Sequence, residues 1–142
     1  MNIDIHNELE FRQLFAPVAA VTNDTAFVSN IIDLANVGAC ELVGVLGSVA
    51  DTDVTFTVLL EHGNVSNLSD NAAVPDAEML GTEAGGTPLL SDDNKTFKIG
   101  YRGMKRYVRL TVTPANNTGN IFLAGVAVLA HKRNGPQSTQ VN

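Results

Sequence analysis

The side chains able to ligate a metal or carry a reaction are few in this sequence and scattered. His6, His62 and His131 lie far apart and Cys40 is the only cysteine. No stretch of helical periodicity exists to bring two such groups to one face. A zinc site needs several converging Cys, His or carboxylate ligands, and a lone cysteine excludes an intrachain disulfide. Cys40 stands among Val37, Ala39, Leu42 and Val43, the setting of a small buried hydrophobe and not of a nucleophile. Asp51-Thr52-Asp53 and Asp92-Asp93-Asn94 resemble fragments of calcium loops but lack the further oxygen ligands and the closing glutamate. They read as solvated turn acids. No serine sits in a Gly-X-Ser-X-Gly elbow, and the glycines from Gly81 to Gly86 come without the lysine and helix of a phosphate loop. The expected catalytic, cofactor-binding and metal sets are therefore all none, and the chain is expected not to be an enzyme.

What remains is recognition chemistry. Tyr101, Arg102, Lys105, Arg106, Tyr107 and Arg109 combine aromatic rings with cations over nine residues, a mixture suited to a protein interface. On the Arg106–Thr113 stretch Lys105, Tyr107 and Arg109 share the outward face, where the plain alternative is pairing with acids on a neighbouring strand. The same cations could meet phosphates, with a tyrosine stacking on bases. Carbohydrate binding has weak support, because the chain has no Trp and only two Tyr. A second candidate set lies at the start: Ile3, Ile5, Leu9, Phe11, Leu14 and Phe15, interleaved with Asp4, Glu8, Glu10 and Arg12. Its spacing fits a helical turn and its alternation fits an extended arm, and Pro17 stops either. Whether it docks on its own domain or on a neighbour is open at this level.

The charge distribution is asymmetric. All 15 acids lie at or before Asp93 and eight of the nine bases at or after Lys95. One base against fifteen acids leaves the first 93 residues at −14, and the last 49 carry +8, for a net of −6. Such asymmetry marks either an acidic or nucleic-acid partner or strands of the two parts neutralising each other across one sheet. A pI near 4.8 opposes nonspecific attraction to a polyanion.

The elements that must position these residues are strands. At 142 residues, 44% apolar and 17% charged, the chain fits one domain with a real core and is not a disordered polymer. The start is acidic and interrupted, unlike a secretory signal, and no window approaches a membrane span. Five Asn-X-Ser/Thr triplets, at Asn23, Asn64, Asn67, Asn94 and Asn116, then mean only polar loops. Strands are expected at Ala26–Leu34, Glu41–Leu46, Asp53–Glu61 (Val54, Phe56, Val58 and Leu60 inward), Phe97–Ile99 and Arg106–Thr113 (Val108, Leu110 and Val112 inward). Ile121–Ala130 is almost wholly apolar and is expected to be a central strand covered on both faces. Residues 62–95 carry few regular signals beyond a short strand at Ala77–Leu80, leaving a functional excursion or plain decoration open. The expected fold is all-β: a single-domain β-sandwich, with a jelly-roll order as one option. Its divisions are an N-terminal arm at 1–20, the sandwich at 21–133 and a flexible tail at 134–142. With the arm separate, a chain lacking Met1–Phe15 is expected to stay folded and to lose its attachment.

The stretch Lys98-Ile99-Gly100-Tyr101-Arg102-Gly103-Met104-Lys105-Arg106-Tyr107-Val108-Arg109 resembles a Gly-Tyr-X-Gly-X-Lys-Arg-Tyr-Val-Arg motif of small tailed-bacteriophage head proteins. Asp24-Thr25, Ile32-Asp33-Leu34 and Ala124–Leu129 match its flanks, so that the resemblance spans roughly residues 20–131. It implies a head decoration (cement) protein, often trimeric, that sits on the capsid exterior and bridges major capsid subunits. It would be made in the bacterial host cytoplasm. Such a protein needs a stable core, an adhesive arm and charged faces that select a register, with no cofactor and no membrane. The major capsid protein is the expected partner, nucleic acid being a weaker one. Alternatives are a neck or tail ring protein and a nucleic-acid-binding accessory protein using the basic C-terminal third.

Overall fold

In a computed structural model describing residues 4–136 and 140–141, the chain is built from strands joined by loops and two single-turn 3-10 helices. In chain order the strands are β1 (Glu10–Phe15), β2 (Phe27–Val28), β3 (Ile32–Asp33), β4 (Ala39–Val49) and β5 (Thr55–Gly63). They continue with β6 (Ala72–Ala73), β7 (Met79–Leu80), β8 (Thr96–Tyr101), β9 (Tyr107–Ala115) and β10 (Ile121–Ala130). One sheet runs β1-β10-β4-β8-β7. The other runs β2-β9-β5-β6, with β3 also paired to β9, and every pairing is antiparallel. The chain crosses between sheets after β1, β3, β4, β6, β8 and β9. With β2 and β3 taken as one interrupted strand, and β7 as an addition at the edge, this is the eight-strand order of a jelly roll. The all-β sandwich expected from the sequence is the fold.

Alternation decides which residues meet between the sheets. Val54, Phe56, Val58 and Leu60 are buried, as are Val108, Leu110 and Val112 on β9. Cys40, Leu42 and Leu46 of β4 and Ile121, Leu123, Ala127 and Leu129 of β10 face them from the first sheet. Burying a side chain of this size stabilises the fold by roughly 1.5–3 kcal/mol, and the two inner faces form one continuous core.

Several expectations are corrected. Glu10–Phe15 are not part of a separate arm: as β1 they pair with β10 from Glu10↔Leu129 to Phe15↔Gly125, and Leu14 and Phe15 join the core. The segment therefore docks in cis, and Val21 bridges to Ile121 just beyond it. The Ala26–Leu34 stretch breaks into β2 and β3 because Ser29 substitutes its side chain for the ladder. Its N–H donates to Leu110 O, while its hydroxyl accepts from Leu110 N and donates to Asn30 O. Such local side-chain bonding competes with the strand ladder. Asn30 N then donates to Leu14 O, tying the break to β1. β5 runs on through His62 and Gly63 instead of ending at Glu61. Residues 62–95 are not loose decoration, since Leu68, Val74 and Met79 are buried, and Glu83 accepts a hydrogen bond from Leu60 N. Of the tail expected at 134–142, residues 137–139 and 142 lie outside the described residues.

β10 departs most. Its side chains alternate between buried and open, so only one face is covered despite the unbroken apolar sequence.

Candidate interaction surfaces

The outer face of the β1-β10-β4-β8-β7 sheet is where that open half of β10 lies. Phe122 and Val126 are 45% and 38% exposed. Val126 stands opposite Val43, and Ala124 opposite Val45, which is itself exposed. Phe11, half exposed, flanks them from β1 opposite Val128. A groove of about 610 Å³ runs here between Leu9, Phe11, Val45 and Val126, with Gln140 and Val141 at its lip. Along β10 the same face continues through Val128 and Ala130 into a second groove of about 660 Å³. The β3–β4 loop (Leu34, Val37) and the β8–β9 loop, residues 102–106, wall that groove.

The β8–β9 loop is the conspicuous part of the motif. Arg102 is exposed, Met104 is 96% exposed and Lys105 is half-buried. Tyr101 holds the loop from inside. Its ring is in the core, and its hydroxyl accepts from Lys105 N at 3.1 Å and shares a hydrogen bond with His62 Nδ1 at 3.0 Å. The rings of His62 and Tyr101 meet edge to face, and Glu78 lies 3.5 Å from the same nitrogen. Burial, followed by the charge of Lys105, lowers the His62 pKa below its ordinary value; Glu78 and Asp70 oppose the shift. Burial likewise raises the Tyr101 hydroxyl. Tyr101 is therefore a strut and not a stacking platform. Gly103 makes this approach possible, because a Cβ there would collide with the Glu78 carboxylate and the Tyr101 ring.

A pH dependence follows. The unfolded chain takes up a proton on His62 near pH 6.5 and the folded chain does so only at lower pH. Stability is therefore complete above pH 6.5 and declines as pH falls from there toward the folded pKa. Asp33, Asp51, Asp70 and Asp92, all held low by hydrogen bonds, add their own loss only below the ordinary carboxylate range. Thermal unfolding at pH 7.5 and 5.5 is expected to show a lower Tm at 5.5. His62→Gln should flatten that difference, and an unchanged slope would remove His62 as its origin.

The remaining candidates separate cleanly. Arg109 donates from Nε and a terminal nitrogen to Glu61, its partner across β5 and β9, at 3.0 and 2.7 Å. Arg106 makes a two-point contact with Asp33 at 2.8 and 2.7 Å while covering the half-buried Tyr107 ring. The Arg106 guanidinium holds the Asp33 pKa below its ordinary value, and Asp33 in turn raises that of Arg106. Lys132 pairs with Glu10, and Lys95 with Asp92. Cross-sheet neutralisation thus consumes much of the basic third, and Arg109 is not a free partner-binding group. Ile5 is exposed, Leu9 is half-buried, and Ile3 falls outside the described residues.

Among the described residues no group of three or more His, Cys, Asp or Glu converges, and no helix is long and apolar enough to cross a membrane. Burial pushes the Cys40 thiol up to about 12, far from the thiolate a nucleophile needs. Phe122, Val126, Val43 and Val45 were not anticipated as surface. The signal was present, in a strand whose apolar run exceeds what one covered face requires.

No family model matches the sequence, and no curated relative matches it. Solved structures do. A chain of the capsid of Ralstonia phage GP4 is similar over 99% of this chain and 91% of its own, at 10% identity and a TM-score of 0.50. The CBM22-1 xylan-binding domain of Paenibacillus barcinonensis Xyn10C is similar over 89% and 88%, at 9% identity and a TM-score of 0.43. The CBM22-1 and GH10 modules of a Clostridium thermocellum xylanase match over 92% of this chain and 27% of theirs, at 10% identity and 0.45. The likeness is one of fold.

Proposed function

We propose that the chain is a non-enzymatic virion structural protein that docks on the exterior of a phage capsid and stabilises it by bridging major capsid subunits. The observation that carries this reading is the open apolar face built by Phe11, Val45, Phe122 and Val126. Soluble monomers rarely expose contiguous apolar patches beyond a few hundred Å², and larger ones mark interaction sites. The end-to-end fold likeness to a phage capsid chain supports the setting, as does the motif around Tyr101. The internal pairing of Arg106 and Arg109 with acids counts against a nucleic-acid role for the basic third.

The test uses purified particles of the encoding phage. Hundreds of copies per particle are expected on the shell, whereas six to a dozen would move the protein to a neck or tail ring. Phe122→Glu with Val126→Glu is expected to reduce shell binding at least 100-fold, with a much smaller effect on thermal stability because both side chains are partly exposed and lie outside the core. Binding that survives the pair of charges would remove this face as the docking surface.

A further inference from the structure

Two features of the molecule are unsatisfied in complementary ways. The groove beside the β8–β9 loop has a floor of Val37, Val128 and Ala130, with Glu41 opposite Val128, and a rim with two cations, Arg102 and Lys105, that outnumber this one acid. Among the described residues neither cation makes an ion pair; every other basic group of the motif is consumed by Asp33 or Glu61. Met104 stands over the groove, nearly fully exposed, an unbranched side chain of the kind that adapts to whatever packs beneath it.

The second feature precedes β1. Asp4-Ile5-His6-Asn7-Glu8 is acidic, and Asp4 and Glu8 are exposed. A turn closes on Asp4 Oδ1, which accepts from His6 N at 2.9 Å and Asn7 N at 3.2 Å. It presents Ile5 to solvent with 64% of its surface open. In its own chain the segment lies along the β1 side of β10, with His6 at the first groove and Asn7 and Glu8 beside Lys132. The cationic groove lies on the other side of β10, over β4 and β8, and no residue of the segment lines it.

We infer that the Asp4–Glu8 segment of one copy docks into the Arg102/Lys105 groove of a second copy. Ile5 would pack on Val128 and Ala130 under Met104, and the Asp4 and Glu8 carboxylates would meet the two cations. The chemistry is a charge-complementary apolar contact, which sets register and partner choice more than it adds raw affinity. Donor and acceptor occupy different places on the chain, so the contact is heterologous, the kind that generates closed rings when its rotation closes. This inference concerns copies of the chain and goes beyond the shell reading, which concerns the apolar face around Phe122.

Sedimentation equilibrium of the full chain tests it. Concentration-dependent association is expected, weakening as salt rises. Arg102→Glu with Lys105→Glu, and separately Asp4→Lys with Glu8→Lys, should each weaken association at least tenfold. Combining all four substitutions in one chain should restore it. All four positions involved are exposed or half-buried, and far-ultraviolet circular dichroism checks that each variant keeps the fold. A chain that stays monomeric at high concentration overturns the inference. So does association that ignores the reversals, or four substitutions that fail to restore it. None of these outcomes bears on shell attachment, which is read on particles through Phe122 and Val126.

Discussion

Replacing Leu14 with alanine is expected to destabilise the fold by about 3 kcal/mol, within the range for emptying a large aliphatic site in a core. For a domain of this size that lowers Tm by roughly 10 °C. Leu14 is 1% exposed and lies in the common core with Phe15. Its carbonyl also accepts Asn30 N, so that β1 fastens both β10 and the β2–β3 break. Phe11, three residues earlier on the same strand, points to the outer face and is half exposed. Phe11→Ala should cost less than about 1 kcal/mol, in line with a position that loses little burial. Removal of residues 1–15 is expected to unfold the domain, because it uncovers the β10 edge and opens the core together. Urea unfolding of the two point variants reads the contrast. Equal losses at Leu14 and Phe11 would mean that β1 is not seated as described.

That contrast also shows how far the sequence was readable. Strands with strict alternation, Asp53–Glu61 and Arg106–Thr113, announce both their type and their inner residues, since one covered face imposes period two. β10 does not, because apolar residues on its outer half erase the alternation. The sequence pattern of a strand with an open apolar face is the same as that of one covered twice. The Ala26–Leu34 stretch misleads for another reason: Ser29 bonds the ladder through its hydroxyl, a tertiary event that no local propensity encodes. β1 was visible as apolar and interrupted, but its partners on β10 are 110 or more residues away, and separation of that order leaves no local trace. On the site side, the cations of the motif were legible as residue types. Which of them are neutralised was not, because Asp33 and Glu61 reach Arg106 and Arg109 only after the second sheet has formed.

Gly44→Ala is expected to destabilise the protein, although propensity points the other way. Alanine suits a strand at least as well as glycine, and it removes backbone freedom from the unfolded chain, an effect of about 0.4–1 kcal/mol in its favour. Gly44 is inward on β4 and pairs with Phe97 of β8. The Phe97 ring lies back across the glycine, so that a Cβ at position 44 would overlap three of its ring atoms. Packing the extra methyl requires the ring to leave a rotamer in which it is packed on the core, and overpacking of this kind costs about 1–3 kcal/mol. The steric term exceeds the entropic one, and the net expectation is a loss of about 1–2 kcal/mol. A double-mutant cycle isolates the cause. In a Phe97→Leu background the obstructing ring is gone, and Gly44→Ala should become neutral or slightly stabilising. The difference between the two backgrounds is the coupling energy of ring and glycine. A stabilised Gly44→Ala protein with Phe97 intact would show that the ring yields freely, and that β8 is held to β4 by its ladder alone.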